Sequence, residues 1–134
     1  LVAEMLAVSN NIHSLRDPTR GGLASTLSEF ARQSGVGISI EEDKIPIHDG
    51  VRGACELLGL DPLYIANEGK LVAAVAPDDA EKVLSVMRKN MYGGQAATIG
   101  EVTGERKGRV VLKTRIGSSR ILDMPTGEIL PRIC

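Results

Sequence analysis

The sequence predicts an α+β fold: a mixed or antiparallel sheet of about four to five strands with helices packed on it. Three observations carry this. Segments with the apolar period of a helix alternate with segments of strand period along the 134 residues. Leu71 to Ala76 is a continuous apolar run, fit for a central strand covered on both faces. Towards the end, glycines cut the chain into short strand-like pieces, which suits a hairpin.

The elements follow in order. Residues 1–8 read as a helix with no capping residue before it. With no Met at position 1, the chain is expected to begin inside a larger protein as a C-terminal fragment. A breaker-rich loop, Arg16 to Gly22, leads to a helix over about Gly22 to Gln33. Leu23, Leu27, Phe30, Ala31 and Ser34 trace one face of it, and Gly35 stops it. Val36, Ile38 and Ile40 alternate as in a half-buried strand. Val51, Ala54, Cys55 and Leu58 then fall at helical spacing, and Gly59 ends that helix. A second breaker-rich loop runs from Asp61 to Lys70 and precedes the apolar strand. Pro77 opens a helix with Asp78, Asp79 and Glu81 at its positive end and a stripe of Ala80, Val83, Leu84 and Met87. Strands near 97–103 and 109–115, joined by a turn at 104–108, read as a hairpin. Ile121 and Leu122 add a last short strand.

Composition narrows the function classes. Apolar residues make up 43% and charged residues 25%, as in an ordinary single globular domain. The net charge of −1 and the 2% aromatic content argue against a nucleic-acid partner. No apolar run reaches membrane-span length and no secretory signal pattern is present, so no membrane partner and a cytoplasmic location are expected. Two cysteines are too few for a disulfide framework and lie on different elements, so no metal site is expected from them.

Two loops and one thiol are the candidates for chemistry. In Asp17-Pro18-Thr19-Arg20-Gly21-Gly22, Pro18 fixes the backbone and the glycines turn it into a helix start. Either the N–H groups of that start and Arg20 face an anion, or Asp17 or Thr19 caps the helix and Arg20 pairs with a carboxylate. In Asn67-Glu68-Gly69-Lys70, a carboxylate and an amine sit at the edge of the apolar strand. Glu68 is either a proton acceptor, if burial raises its pKa, or half of a surface ion pair. Cys55 lies on an apolar stripe and reads as a packed core thiol. Cys134 ends the chain after Pro125, Gly127 and Pro131, a composition that resists helix and central strand. It is either an incidental exposed thiol or the carrier at the tip of a mobile arm. His13 reads as structural, and His48 as a helix cap or a solvated side chain. Arg106, Lys107, Arg109, Lys113, Arg115 and Arg120 form either a solvated strand face or a docking patch for an acidic partner.

Four segments together resemble a known family. They are Arg16-Asp17-Pro18-Thr19-Arg20-Gly21-Gly22-Leu23-Ala24, then Arg52-Gly53-Ala54-Cys55-Glu56-Leu57-Leu58-Gly59-Leu60-Asp61-Pro62, then Ala66-Asn67-Glu68-Gly69-Lys70-Leu71, and the terminal Leu130-Pro131-Arg132-Ile133-Cys134. The chain resembles the C-terminal domain of the HypE hydrogenase maturation proteins, within the AIR synthase-related (PurM-like) superfamily. The likeness covers essentially the whole chain, and the Pro-Arg-Ile-Cys ending is its most specific part.

The resemblance implies an AIR synthase C-terminal domain-like, partly ferredoxin-like fold over residues 1–124. Residues 125–134 would then be a flexible tail ending in the acceptor cysteine. It implies that a carbamoyltransferase, HypF, loads a carbamoyl group onto Cys134. ATP is then used to dehydrate the thiocarbamate to a thiocyanate, which a HypC–HypD complex accepts for cyanide ligand synthesis. Glu68 becomes the candidate base, with Asp17, Arg20, Gly21, Gly22, Asn67 and Lys70 lining the nucleotide pocket. The ATP and Mg2+ site and much of the homodimer interface would lie in an N-terminal half, so this chain alone is expected not to hydrolyse ATP. Two other readings stand beside this one. The chain could be half of another superfamily enzyme, such as AIR synthase, selenophosphate synthetase or thiamine-monophosphate kinase, though a terminal thiol serves none of those reactions. It could also be a non-enzymatic docking module.

Overall fold

The computed structural model describes residues 1–124. In chain order it contains α1 (Val2–Val8), β1 (Ile12–Arg16), α2 (Gly22–Ser34), β2 (Gly37–Glu41), α3 (Asp49–Leu58), β3 (Val72–Val75), α4 (Pro77–Lys89), β4 (Gly100–Thr103), β5 (Val110–Lys113) and β6 (Ser119–Leu122). Short 3-10 turns at Glu42–Lys44 and Pro62–Tyr64 flank α3. The α+β class is as expected, but the strands divide into two sheets. One has four strands in the order β4-β2-β5-β6, and the other has β1 and β3 alone.

The core lies between α2 and one face of the four-stranded sheet. Ala24, Leu27 and Ala31 of α2 meet Ile38, Ile40, Val110, Leu112 and Leu122, all buried, with Leu63 closing one side. Each fully buried aliphatic side chain here contributes roughly 1.5–3 kcal/mol relative to exposure. Strand alternation explains the choice of residues: Ile38 and Ile40 face α2, and Ser39 between them faces away. The Ser28 hydroxyl donates to the Leu122 carbonyl at 3.2 Å, fixing the last strand to the helix.

Two expectations fail. The strands near 97–103 and 109–115 do not form a hairpin, because β2 lies between them. It pairs antiparallel with β4 and parallel with β5. Ile38 and Ile40 gain more burial as an inner strand than an edge position would give. The true hairpin is β5–β6, in which Val111 faces Ile121. The apolar run at 71–76 is not a strand covered on both faces. It pairs with β1, which the sequence did not announce, and Val72 to Val75 are only half-buried.

Helix stripes were legible to different degrees. On α2, Leu27 and Ala31 are buried and Leu23 and Phe30 partly so, whereas Ser34 is exposed. On α4, Val83 and Leu84 are buried, with Ala80 and Met87 half-buried. The stripe on α3 points the other way: Cys55 is buried, but Val51, Ala54 and Leu58 are exposed. At the far end of the fold, Asp79 at the start of α4 accepts from the Ser9 hydroxyl at 2.6 Å and from the Asn11 amide at 3.0 Å. This ties the α1–β1 connection to α4.

Candidate functional site

Strand pairing brings the two candidate loops together. β1 and β3 run antiparallel with Arg16 opposite Val72, so the loop leaving β1 and the loop entering β3 lie side by side. The backbone N–H of Asn67 donates to the Pro18 carbonyl at 3.1 Å and joins them directly. Pro18 is buried, whereas Asp17, Arg20, Glu68 and Lys70 are exposed and Asn67 is half-buried. Arg16, the last residue of β1, pairs with Glu29 on α2, which anchors the approach to the first loop.

The double glycine has a concrete cause. Gly21 and Gly22 both take left-handed backbone, at φ 73° and 63°. A Cβ on Gly22 would lie 2.6 Å from the carbonyl oxygens of both Leu63 and Ile65. The segment that leads into Asn67-Glu68 is therefore seated on the first turn of α2, and a side chain there would lift it off.

The start of α2 is open in character. Gly21 is its N-cap, no side chain caps it, and its first turn holds no acidic residue. The alternative in which Asp17 or Thr19 caps the helix is thus not what forms. The Gly22 N–H donates to the Thr19 carbonyl at 3.2 Å, and the positive end of the helix dipole lies next to Arg20. This edge therefore places a helix N-terminus, Arg20 and Lys70 with two carboxylates, Asp17 and Glu68. Positive groups of this kind fit an anionic phosphate group. Glu68 lacks the burial that the sequence asked of a proton acceptor.

Other expectations resolve as follows. Cys55 is 4% exposed and packed, as expected, on the wall of a cleft of about 290 Å3 that also involves Arg52, Asp61 and Arg120. None of the candidate loop residues lines that cleft. His48 is the N-cap of α3 but makes no capping hydrogen bond and is exposed. His13 is exposed on β1. The basic cluster is partly neutralised: Arg109 pairs with Asp123 at 3.2 Å, Arg115 with Asp43 at 2.9 Å and Arg120 with Asp61 at 2.5 Å. Tyr64, near Arg120 and Asp61, has its phenol pushed up in pKa, chiefly by burial. Among the described residues, no three His, Cys, Asp or Glu side chains gather as a metal-binding group. Cys134, Pro125, Gly127 and Pro131 lie outside the described residues.

The sequence missed three residues that build this edge. Glu29 holds Arg16, Leu63 and Ile65 sit on Gly22, and none carries a motif of its own. The Gly-Gly pair was the only local signal of that close approach.

Residues 1–113 match the family described as AIR synthase related protein, C-terminal domain. Carbamoyl dehydratase HypE of Azotobacter vinelandii is 54% identical over 134 residues, which is all of this chain and 39% of that protein. Hydrogenase maturation protein HypE solved in complex with ATP superposes with a TM-score of 0.87 at 48% identity, over 92% of this chain and 38% of that one. A HypE–HypF complex gives a TM-score of 0.87 at 45% identity, over 92% of this chain and 40% of that one. The chain therefore spans about two fifths of the length of the relatives it resembles. Among the described residues, no helix is long and apolar enough to cross a membrane.

Proposed function

The chain belongs to the AIR synthase related protein C-terminal domain family, and from that membership we propose that it is the C-terminal part of an ATP-dependent carbamoyl dehydratase in hydrogenase maturation. The observation that carries the proposal is the joining of the two loops by the Asn67 N–H and the Pro18 carbonyl. It supports the reading by holding the loop at the start of α2 beside the loop that carries Glu68.

Cys134 is the acceptor. A HypF-type carbamoyltransferase places a carbamoyl group on its thiol, giving S–C(=O)–NH2. The amide oxygen attacks the γ-phosphorus of ATP, the bond to the β-phosphate oxygen breaks, and ADP leaves. The C–O bond then breaks with phosphate as leaving group while the nitrogen loses both protons, giving S–C≡N. Phosphorylation matters because an amide oxygen leaves poorly without it. Glu68 takes a proton from the nitrogen or orients it. Arg20, Lys70 and the Gly21-Gly22 backbone stabilise charge developing on the transferred phosphoryl group, and Asp17 and Asn67 shape the pocket. An exposed Glu68 needs a covering surface to work as a base, and the segment missing relative to the longer relatives is our candidate for it. That segment would also complete the ATP and Mg2+ site and the homodimer. The product passes to a HypC–HypD-type acceptor in the cytoplasm.

The reach of the tail is compatible with this scheme. The Arg32 guanidinium contacts the Met124 sulfur at 3.4 Å. Arg32 and Gly22 are separated along α2 by about 15 Å of helix rise. The ten residues from 125 to 134 span at most about 33–36 Å when extended. A thiol at position 134 is thus long enough in the arm to reach the candidate loops.

Calorimetry tests the division of labour. ATP is titrated into the chain alone, then into the chain mixed with the N-terminal part of a HypE relative. The proposal expects no stoichiometric binding in the first case and binding in the second, weakened at least ~10-fold by Arg20→Ala. Stoichiometric binding to the chain alone overturns it.

A further inference from the structure

The two-stranded sheet carries both candidate loops at one end. Arg16 lies opposite Val72 there. Asp17 follows Arg16 directly, and Lys70 stands two residues before Val72. A two-stranded sheet is marginal by itself, so its place is set by what holds it. Its far end is tied to α4, where Asp79 accepts from Ser9 and Asn11 just before β1. At the site end Val72 packs against the core, and Arg16 pairs with Glu29 of α2. Among the described residues, that pair is the only side-chain hydrogen bond or ion pair made by either strand. Glu29 stands two turns beyond Gly22 and within about 20° of it around the helix. One side of α2 therefore seats residues 63–65 at Gly22 and receives Arg16 at Glu29.

We propose that Glu29 is a positioning residue: through Arg16 it holds the site end of the β1–β3 sheet against α2, and so keeps the two loops in register with each other. In each segment the bonded residue lies between two held points. Pro18 falls between Arg16 and Gly22, and Asn67 falls between residue 65 and Val72. When Arg16 loses its hold, the sheet end shifts against α2, and the bond from the Asn67 N–H to the Pro18 carbonyl is the first to open. The effect is local. Side chains that are 44% and 27% exposed form a pair that contributes little to global stability. This mechanical role stands without the dehydratase reading, whereas its consequence for turnover rests on that reading. A shift of the sheet end moves Arg20 and Lys70 relative to the transferred phosphoryl group and Glu68 relative to the nitrogen, all together. Turnover then falls and the KM for ATP rises, while loading of Cys134, which uses neither loop, is unchanged.

Hydrogen exchange at the Asn67 amide, read by NMR on the chain, tests the positioning. Glu29→Gln is expected to keep the fold by circular dichroism and to speed Asn67 exchange at least ~2-fold, with the amides of β5 unchanged. Arg16→Glu combined with Glu29→Arg is expected to restore the protection. Lys44→Gln, which breaks another exposed ion pair, with Glu41, is expected to leave Asn67 as it was. Unchanged exchange at Asn67 in Glu29→Gln overturns the proposal. So does exchange that rises equally at Asn67 and along β5, because the pair would then be a general stabiliser. A second measurement restores the N-terminal part of a HypE relative. Glu29→Gln is then expected to lower kcat/KM for ATP at least ~2-fold while carbamoyl loading keeps its rate. Unchanged kcat/KM, or loading that falls by the same factor, overturns the link to catalysis. Native protein that loads Cys134 but forms no thiocyanate overturns the dehydratase reading instead, and the Asn67 result stands apart from it.

Discussion

The Asn67 N–H donates to the Pro18 carbonyl at 3.1 Å, although the two residues lie 49 positions apart in the chain. This bond makes one edge out of two motifs that look unrelated in sequence. It depends on the antiparallel pairing of β1 with β3 and on the seating of Leu63 to Ile65 over Gly22.

Gly22→Ala tests that seating. The variant must hold a left-handed backbone and place its methyl 2.6 Å from two carbonyl oxygens. A stability loss of at least ~2 kcal/mol is expected in urea unfolding. Gly35→Ala is the control, since Gly35 has the same φ of 63° but open space around its Cβ. It is expected to cost about 1–2 kcal/mol, for backbone strain alone. Equal losses would mean that the contact with 63–65 contributes nothing.

Glu68→Gln separates loading from dehydration. The side chain is exposed, so stability is expected to change by no more than ~0.5 kcal/mol. Carbamoyl loading of Cys134 should persist. Turnover to thiocyanate, measured with the N-terminal part restored, should fall ~100- to 10,000-fold. Unchanged turnover would remove Glu68 from the chemistry.

The two cysteines are expected to behave oppositely. Cys55→Ser buries a hydroxyl at a position 4% exposed and should cost about 1–3 kcal/mol while loading continues. Cys134→Ser should abolish loading. Thermal unfolding and intact mass on the two variants read both effects, and loss of loading in Cys55→Ser at full folding would contradict the assignment.

Asp79 sets an acid limit. Hydrogen bonds from Ser9, then Asn11, hold its carboxyl below the ordinary 3.8 in the folded chain. A group with a lowered folded pKa contributes stability above its unfolded pKa and loses it as pH falls through the folded value. The gap in melting temperature between native protein and Asp79→Asn is therefore expected to be constant near neutral pH. It should shrink as pH falls below about 4. A gap that does not narrow would show that Asp79 is not held by these bonds.

Periodicity made α2 and α4 legible, because Leu27 and Ala31 on the one and Val83 and Leu84 on the other fall on the apolar stripe and are buried. β1 was not legible: Ile12 to Arg16 carries a His and an Arg and pairs only through β3. The order β4-β2-β5-β6 was not legible either, since local turn signals at 104–108 cannot show that a distant strand lies between two neighbours in sequence. The stripe on α3 was read correctly as apolar, but of its residues only Cys55 is buried, because periodicity does not say whether a partner covers a face. At the candidate site both motifs were visible, but their meeting depends on the long-range β1–β3 pairing.

The most direct test of the central claim is the intact mass of the protein after incubation with a HypF-type transferase, carbamoyl phosphate and ATP, followed by peptide mapping. The account predicts a single carbamoyl adduct on Cys134 and none on Cys55. An unmodified Cys134, with the N-terminal part of a relative added and the transferase active on that full-length relative, would contradict it.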